Sequence, residues 1–74
     1  MYTIYSKPSC SYCLQAKQLL ETKQLPFVYK QLGADYTLQE LLEVSPNART
    51  FPVILKDGEL IGGFTNLCEY LNQQ

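Results

Sequence analysis

The sequence contains no histidine and only three cysteines. A four-ligand zinc site needs a second cysteine pair or a cysteine–histidine pair, and only Cys68 remains once Cys10 and Cys13 are counted. We therefore expect no structural zinc site within the chain. The odd number of cysteines also argues against a secreted disulfide scaffold.

The charges nearly balance, since the sequence has six basic and seven acidic residues. This balance predicts no nucleic-acid partner and no anionic membrane surface. The sequence has no apolar run near the roughly 20 residues of a membrane helix, and no charged-then-apolar leader. We expect a single domain over residues 1–74 that is soluble, monomeric and cytoplasmic.

Two cysteines separated by two residues open the first amphipathic stretch. Cys10 and Cys13 follow a short apolar run at 2–5 and begin a predicted helix over about 11–23. Free backbone N–H groups and the helix dipole stabilise a thiolate there, and the thiolate is the nucleophile of disulfide exchange. Lys7 adds a nearby cation. The apolar stripe of the helix includes Cys13, so we expect Cys13 to be buried and Cys10 to lie at the exposed tip.

The rest of the chain predicts alternating strands and helices. The run at 2–5, the helix and a strand at 27–29 form a βαβ unit, which implies parallel strands. Thr37 and Glu40 carry the capping-box signature of a short second helix. Strands at 53–55 and 59–61 are joined by Asp57-Gly58, a pair that suits a type I′ turn. A last helix is predicted from near Thr65, with a second capping box over 66–69.

This order, βαβ–α–ββ–α, predicts an α/β fold. Its expected form is a four-stranded mixed sheet with three helices distributed over both faces, in thioredoxin-like topology.

Three further features allow two interpretations each. Pro52 precedes an otherwise central strand, which indicates either a cis bond in a turn beside a functional site or an ordinary trans proline at a strand start. Gly62-Gly63 either ends a strand or lets a second backbone approach a helix N-terminus that binds a carboxylate. Cys68 lies on an apolar helical stripe, which favours a small buried hydrophobe over a regulatory disulfide.

Three separated segments together resemble dithiol glutaredoxins over essentially the whole chain: Lys7 with Cys10-Ser11-Tyr12-Cys13, then Thr50-Phe51-Pro52, then Gly62-Gly63-Phe64-Thr65-Asn66. The resemblance implies a thioredoxin fold with Pro52 in the cis form. It also implies glutathione-dependent reduction of protein disulfides and of glutathione mixed disulfides. Ribonucleotide reductase is a client protein by family analogy only.

The resemblance also assigns roles to residues. Cys10 corresponds to the nucleophile and Cys13 to the second thiol. The main chain of Phe51 would pair with the cysteinyl part of glutathione, and the start of the last helix would hold the γ-glutamyl carboxylate. The residues expected to contact glutathione are Lys7, Tyr12, Arg49, Phe51, Pro52, Gly63, Thr65 and Asn66. Among these, Arg49 is the candidate partner of the glycyl carboxylate.

Three positions depart from the family pattern, because Ser11 replaces a proline, Phe51 a valine and Asn66 an aspartate. Some glutaredoxins with Cys-Ser-Tyr-Cys hold a [2Fe–2S] cluster between two subunits with two glutathiones, so a dimer in which Cys10 ligates a cluster is one alternative. Another alternative is a redoxin reduced by thioredoxin reductase, although the glutathione-facing residues argue against it.

Overall fold

The computed structural model describes residues 1–48 and 50–72. Its elements follow the predicted order and are β1 (Tyr2–Ser6), α1 (Ser11–Thr22), β2 (Phe27–Gln31), α2 (Leu38–Val44), β3 (Val53–Lys56), β4 (Glu59–Gly62) and α3 (Phe64–Asn72). The predicted thioredoxin-like architecture is confirmed. The principal difference is that β2 extends two residues beyond the predicted strand, because β1 pairs with it as far as Gln31.

The four strands form one mixed sheet in the order β2-β1-β3-β4. The β1–β2 pair is parallel, whereas β1–β3 and β3–β4 are antiparallel. The central place of β1 agrees with its composition, since apolar residues on both faces suit a strand covered from both sides.

The hydrophobic core is divided between the two faces of the sheet. Adjacent residues of β3 point to opposite faces, and Ile54 belongs to one buried cluster while Val53 and Leu55 belong to the other. Helices α1 and α3 pack on the Ile54 face, where the fully buried residues include Ile4, Ala16, Leu20 and Leu67. On the opposite face α2 contributes Leu41, which is 1% exposed.

Local signals define the turns and the second helix as predicted. The Thr37 hydroxyl accepts the Glu40 N–H at 3.2 Å, and the Glu40 carboxylate accepts the Thr37 N–H at 3.0 Å. Asp57 and Gly58 have φ values of 51° and 84°, so both central residues of the hairpin are left-handed, as a type I′ turn requires. Within the described residues, no helix is long and apolar enough to cross a membrane.

The third helix starts within one residue of the predicted position but has a different cap. It begins at Phe64, and its first backbone bond joins the Leu67 N–H to the Gly63 carbonyl at 3.0 Å. The Asn66 side chain reaches back to the Gly63 N–H at 3.1 Å. Asn66 therefore occupies the third helical position rather than the cap, and the predicted second capping box over 66–69 is wrong.

Candidate active site

Three segments meet at the end of the sheet where β1 leaves it. Tyr5 pairs with Val53, so the chain that follows β1 adjoins the chain that precedes β3. Ile54 pairs with Gly62, which brings the end of β4 and the start of α3 to the same place. The three motifs noted in the sequence are therefore adjacent in space, although more than 50 positions separate the first from the last.

A disulfide joins Cys10 to Cys13 at the start of α1, with Cα atoms 5.2 Å apart. Cys10 is the N-cap residue, and its Sγ accepts the Cys13 N–H at 3.2 Å. Cys13 is completely buried on the inner side of α1, whereas Cys10 is partly exposed. The burial pattern expected from the helical stripe is thus present, and an incoming group can reach Cys10 more readily than Cys13.

The strand that leads to Cys10 is tied firmly at its end. Ser6, the last residue of β1, is fully buried. Its hydroxyl donates to the Lys30 carbonyl at 2.7 Å, and its own carbonyl accepts the Leu32 N–H at 2.8 Å. Only residues 7–9 separate this anchor from the cysteine, and Ser9 makes the turn with a φ of 60°.

Lys7 and Phe51 form the link between the cysteine segment and the segment before β3. The Lys7 Nζ lies 5.6 Å from the centroid of the Phe51 ring, within the range of a cation–π contact. The Phe51-Pro52 peptide bond is cis, as the family resemblance implied. A cation accordingly stands beside the Phe51 ring, in the segment that precedes β3.

A groove of about 390 Å³ runs between the cysteine segment and the start of α3. The rings of Tyr12 and Phe64 both line it, with centroids 5.8 Å apart. Because Tyr12 lies between the two cysteines in the chain, the groove borders the segment that carries the disulfide. Its lining residues are Tyr12, Thr50, Phe51, Gly63, Phe64, Thr65 and Asn66.

The N-terminus of α3 gives this groove a partial positive charge. The first N–H groups of a helix have no partner within the helix, and Asn66 satisfies only that of Gly63. The N–H groups of the next residues, together with the helix dipole, favour a carboxylate or another anion.

The structure brings together five of the eight residues predicted to contact a ligand, since Tyr12, Phe51, Gly63, Thr65 and Asn66 all line this groove. Pro52 lines a neighbouring groove of about 250 Å³, and Lys7 stands beside the Phe51 ring. Arg49 lies outside the described residues.

Sequence reasoning missed Thr50 and Phe64 as lining residues. Both lie inside the segments that carried the resemblance. Phe64 also lies on the apolar stripe of α3, and a residue on such a stripe is expected in the core rather than in the lining of a groove.

The sequence model of the glutaredoxin family matches residues 2–61. The chain belongs to the glutaredoxin family. An 8.6 kDa glutaredoxin-like protein of Clostridium pasteurianum is 34% identical over 64 residues, which are 86% of this chain and 85% of that protein. A hybrid peroxiredoxin of Haemophilus influenzae is 40% identical over 92% of this chain, and the chain spans 28% of the length of that protein.

Solved glutaredoxin structures share the fold. Reduced Escherichia coli glutaredoxin superposes with a TM-score of 0.84 at 25% identity, covering 99% of this chain and 94% of that one. Buckwheat glutaredoxin, solved with glutathione, gives 0.82 at 24% identity over 97% of this chain and 68% of that one, which supports the fold alone. This glutaredoxin is a thioredoxin-fold oxidoreductase whose cysteine pair lies at the start of α1. Its third cysteine, Cys68, is free and partly exposed rather than fully buried.

Proposed function

We propose that this glutaredoxin reduces protein disulfides and glutathione mixed disulfides with electrons from glutathione. The observation that carries the proposal is the position of Tyr12, which lies between Cys10 and Cys13 and lines a groove that ends at the N-terminus of α3. A ligand thiol at Cys10 can therefore extend along the groove and place a carboxylate at the helix.

The cysteinyl part and the γ-glutamyl carboxylate of glutathione each have a matching group in this groove. The backbone of Phe51 precedes the β1–β3 ladder, which starts at Val53, so its peptide groups can pair with the extended cysteinyl part of the tripeptide. The free N–H groups at Thr65 and Asn66 suit the γ-glutamyl carboxylate. Lys7, whose Nζ lies 5.6 Å from the centroid of the Phe51 ring, supplies a cation that would favour the thiolate at Cys10 and the negative charge of the ligand.

The two thiols divide the reaction between them. The Cys10 thiolate attacks one sulfur of a client disulfide, forms a mixed disulfide and expels the other sulfur as a thiolate. The Cys13 thiolate then attacks Cys10, releases the reduced client and leaves the Cys10–Cys13 disulfide. A first glutathione thiolate attacks Cys10 and frees Cys13, and a second removes the bound glutathione as glutathione disulfide. Two electrons pass from two glutathiones to one client disulfide.

The test is turnover of the mixed disulfide of glutathione and 2-mercaptoethanol. The reaction is coupled in one arm to glutathione and glutathione reductase, and in the other to thioredoxin reductase. NADPH consumption in the first arm alone is expected. Consumption in the second arm alone would contradict glutathione dependence and identify a redoxin served by thioredoxin reductase.

Variants of the cysteines test the division of labour. Cys10→Ser is expected to abolish every exchange reaction. Cys13→Ser should keep activity on glutathione mixed disulfides and lose the reduction of client disulfides, which needs both thiols. Cys68→Ser is the control, because Cys68 lies outside the disulfide, and it should behave as the wild type. A dead Cys13→Ser with an active Cys10→Ser would reverse the proposed roles.

Visible absorbance and gel filtration distinguish the alternative function, a dimer bridged by an iron–sulfur cluster, from the proposed one. With Cys10 and glutathione as ligands of a [2Fe–2S] cluster, the purified protein would absorb visible light and elute as a dimer on gel filtration. Ribonucleotide reductase is proposed as a client on family analogy alone.

A further inference from the structure

We propose that the groove recognises its ligand by carboxylates and thiol and is indifferent to the ligand's ammonium group. Peptide thiols of the glutathione type whose amino group is absent would then react at Cys10 as fast as glutathione itself does. This inference rests on the proposed function, because it concerns the ligand of the same groove.

No acidic side chain lines the part of the groove that the structure describes. All seven acidic residues of the sequence lie within the described residues, and none belongs to this lining: Glu21, Asp35, Glu40, Glu43, Asp57, Glu59 and Glu69. A ligand ammonium in the groove therefore has no carboxylate beside it, while a ligand carboxylate has the helix N-terminus.

Asn66 could accept a hydrogen bond from the ammonium through its side-chain oxygen, but that oxygen is uncharged and already accepts one hydrogen bond. The Gly63 N–H requires an acceptor, so the Asn66 Oδ1 must face it, at 3.1 Å. A Cβ built on Gly62 would lie 2.6 Å from that oxygen and 2.9 Å from the Asn66 Cβ, so the side chain is held close against the Gly62 backbone. The amide nitrogen, Nδ2, is a donor, which attracts carboxylates and not ammonium ions, and the remaining lone pair of the oxygen offers an ammonium no ion pair.

Glu69 is the nearest carboxylate along α3, one turn beyond Asn66. It lines a different groove, of about 270 Å³, together with Lys56, Glu59 and Tyr70. Asn66 lies on the boundary between the two grooves because it lines both. The Glu69 carboxylate therefore lines a groove that Lys56 also lines, and it does not line the groove beside Tyr12.

The test compares two mixed disulfides of 2-mercaptoethanol, one with glutathione and one with glutaryl-cysteinyl-glycine, which is glutathione with its amino group replaced by hydrogen. Reduced wild-type protein, freed of reductant, attacks each peptide sulfur through Cys10 and releases 2-mercaptoethanol. The second-order rate constant is followed by mass spectrometry of the quenched protein. The expected ratio of the two constants is within about twofold of one, since no exposed ion pair distinguishes the peptides.

Asn66→Asp is the matched variant. An aspartate oxygen can still accept the Gly63 N–H, so the helix start is kept, and the new charge repels the carboxylates of both peptides equally. Only the ammonium of glutathione is attracted, so the ratio should rise by about two- to fivefold in favour of glutathione, the worth of an exposed ion pair. Glu69→Gln should leave the ratio as in the wild type.

The outcomes separate this inference from the proposed function. A wild-type preference for glutathione of more than about twofold, the onset of an exposed ion pair, would overturn the inference while leaving glutathione dependence intact. A ratio that shifts in Glu69→Gln would also overturn it, by identifying Glu69 as the ammonium partner. If both peptide disulfides reacted no faster than the symmetrical disulfide of 2-mercaptoethanol, the groove would not bind such peptides, and the proposed function would fail with it.

Discussion

The Tyr36 hydroxyl donates a 2.6 Å hydrogen bond to the backbone carbonyl of Ser6, 30 residues earlier in the chain. The same carbonyl accepts the Leu32 N–H at 2.8 Å, so both of its lone pairs are used. The Tyr36 ring also meets the Tyr5 ring edge-on, with centroids 4.9 Å apart. A side chain from beyond β2 thus fixes the point at which β1 turns toward Cys10.

Tyr36→Phe should lower the free energy of unfolding by about 1 kcal/mol, the net value of one hydrogen bond between neutral groups. The loss should be no larger, because Leu32 still satisfies the Ser6 carbonyl. Urea denaturation measures it. Tyr12→Phe is the control, since Tyr12 is 58% exposed and its change should cost less than about 0.5 kcal/mol. Equal losses in the two variants would show that the Tyr36 hydroxyl contributes nothing.

Alkaline pH should weaken the folded state through Tyr36. Burial raises the pKa of Tyr36 from 10.0 to about 12, with smaller contributions from nearby Tyr5 and Tyr29. Between these values the unfolded chain loses the phenol proton while the folded chain keeps it. The stability that this proton provides is therefore complete below pH 10 and lost as the pH rises toward 12. Denaturation from pH 9 to 11.5 should show a steeper decline in the wild type than in Tyr36→Phe, and parallel curves would contradict the shift.

Local sequence signals predicted the parts of the fold that depend on neighbouring residues. Thr37 and Glu40 are three positions apart and form their capping box without help from the rest of the chain. Asp57 and Gly58 likewise adopt the left-handed conformations of their turn because of their own residue types. The family resemblance added the convergence of Cys10, Phe51 and Thr65, which no single segment predicts.

The contacts that sequence reasoning missed depend on tertiary structure. The bond from Tyr36 to Ser6 joins residues that have no periodic relationship, so no pattern could reveal it. The sequence does not reveal the cap of α3, because Gly63 has no side chain with which to indicate one. In the structure, the side-chain oxygen of Asn66, at the third helical position, accepts a hydrogen bond from the Gly63 N–H.

The capping box of α2 offers a second stability test. Thr37→Ala removes the acceptor of the Glu40 N–H and should lower the free energy of unfolding by about 1 kcal/mol, as is usual for an N-cap threonine. Thr22→Ala is a matched control, because Thr22 is an exposed residue at the other end of a helix and its loss should be less than about 0.5 kcal/mol. Urea denaturation measures both losses. Equal stability of the two variants would contradict the capping role of Thr37.

The two glycines before α3 should respond differently to alanine. Gly62 has a φ of +127°, and its added Cβ would lie 2.6 Å from the Asn66 Oδ1, whereas the Cβ of Gly63 would meet its nearest neighbour, the Pro52 carbonyl, at an ordinary 3.6 Å. Gly62→Ala should therefore cost about 1–3 kcal/mol of backbone strain. It should also raise the KM for glutathione, because Asn66 must move. Gly63→Ala should cost less than about 1 kcal/mol, the usual penalty of alanine at an N-cap. Denaturation and glutathione-coupled kinetics measure both effects, and an equal response of the two variants would show that Asn66 is not held against Gly62.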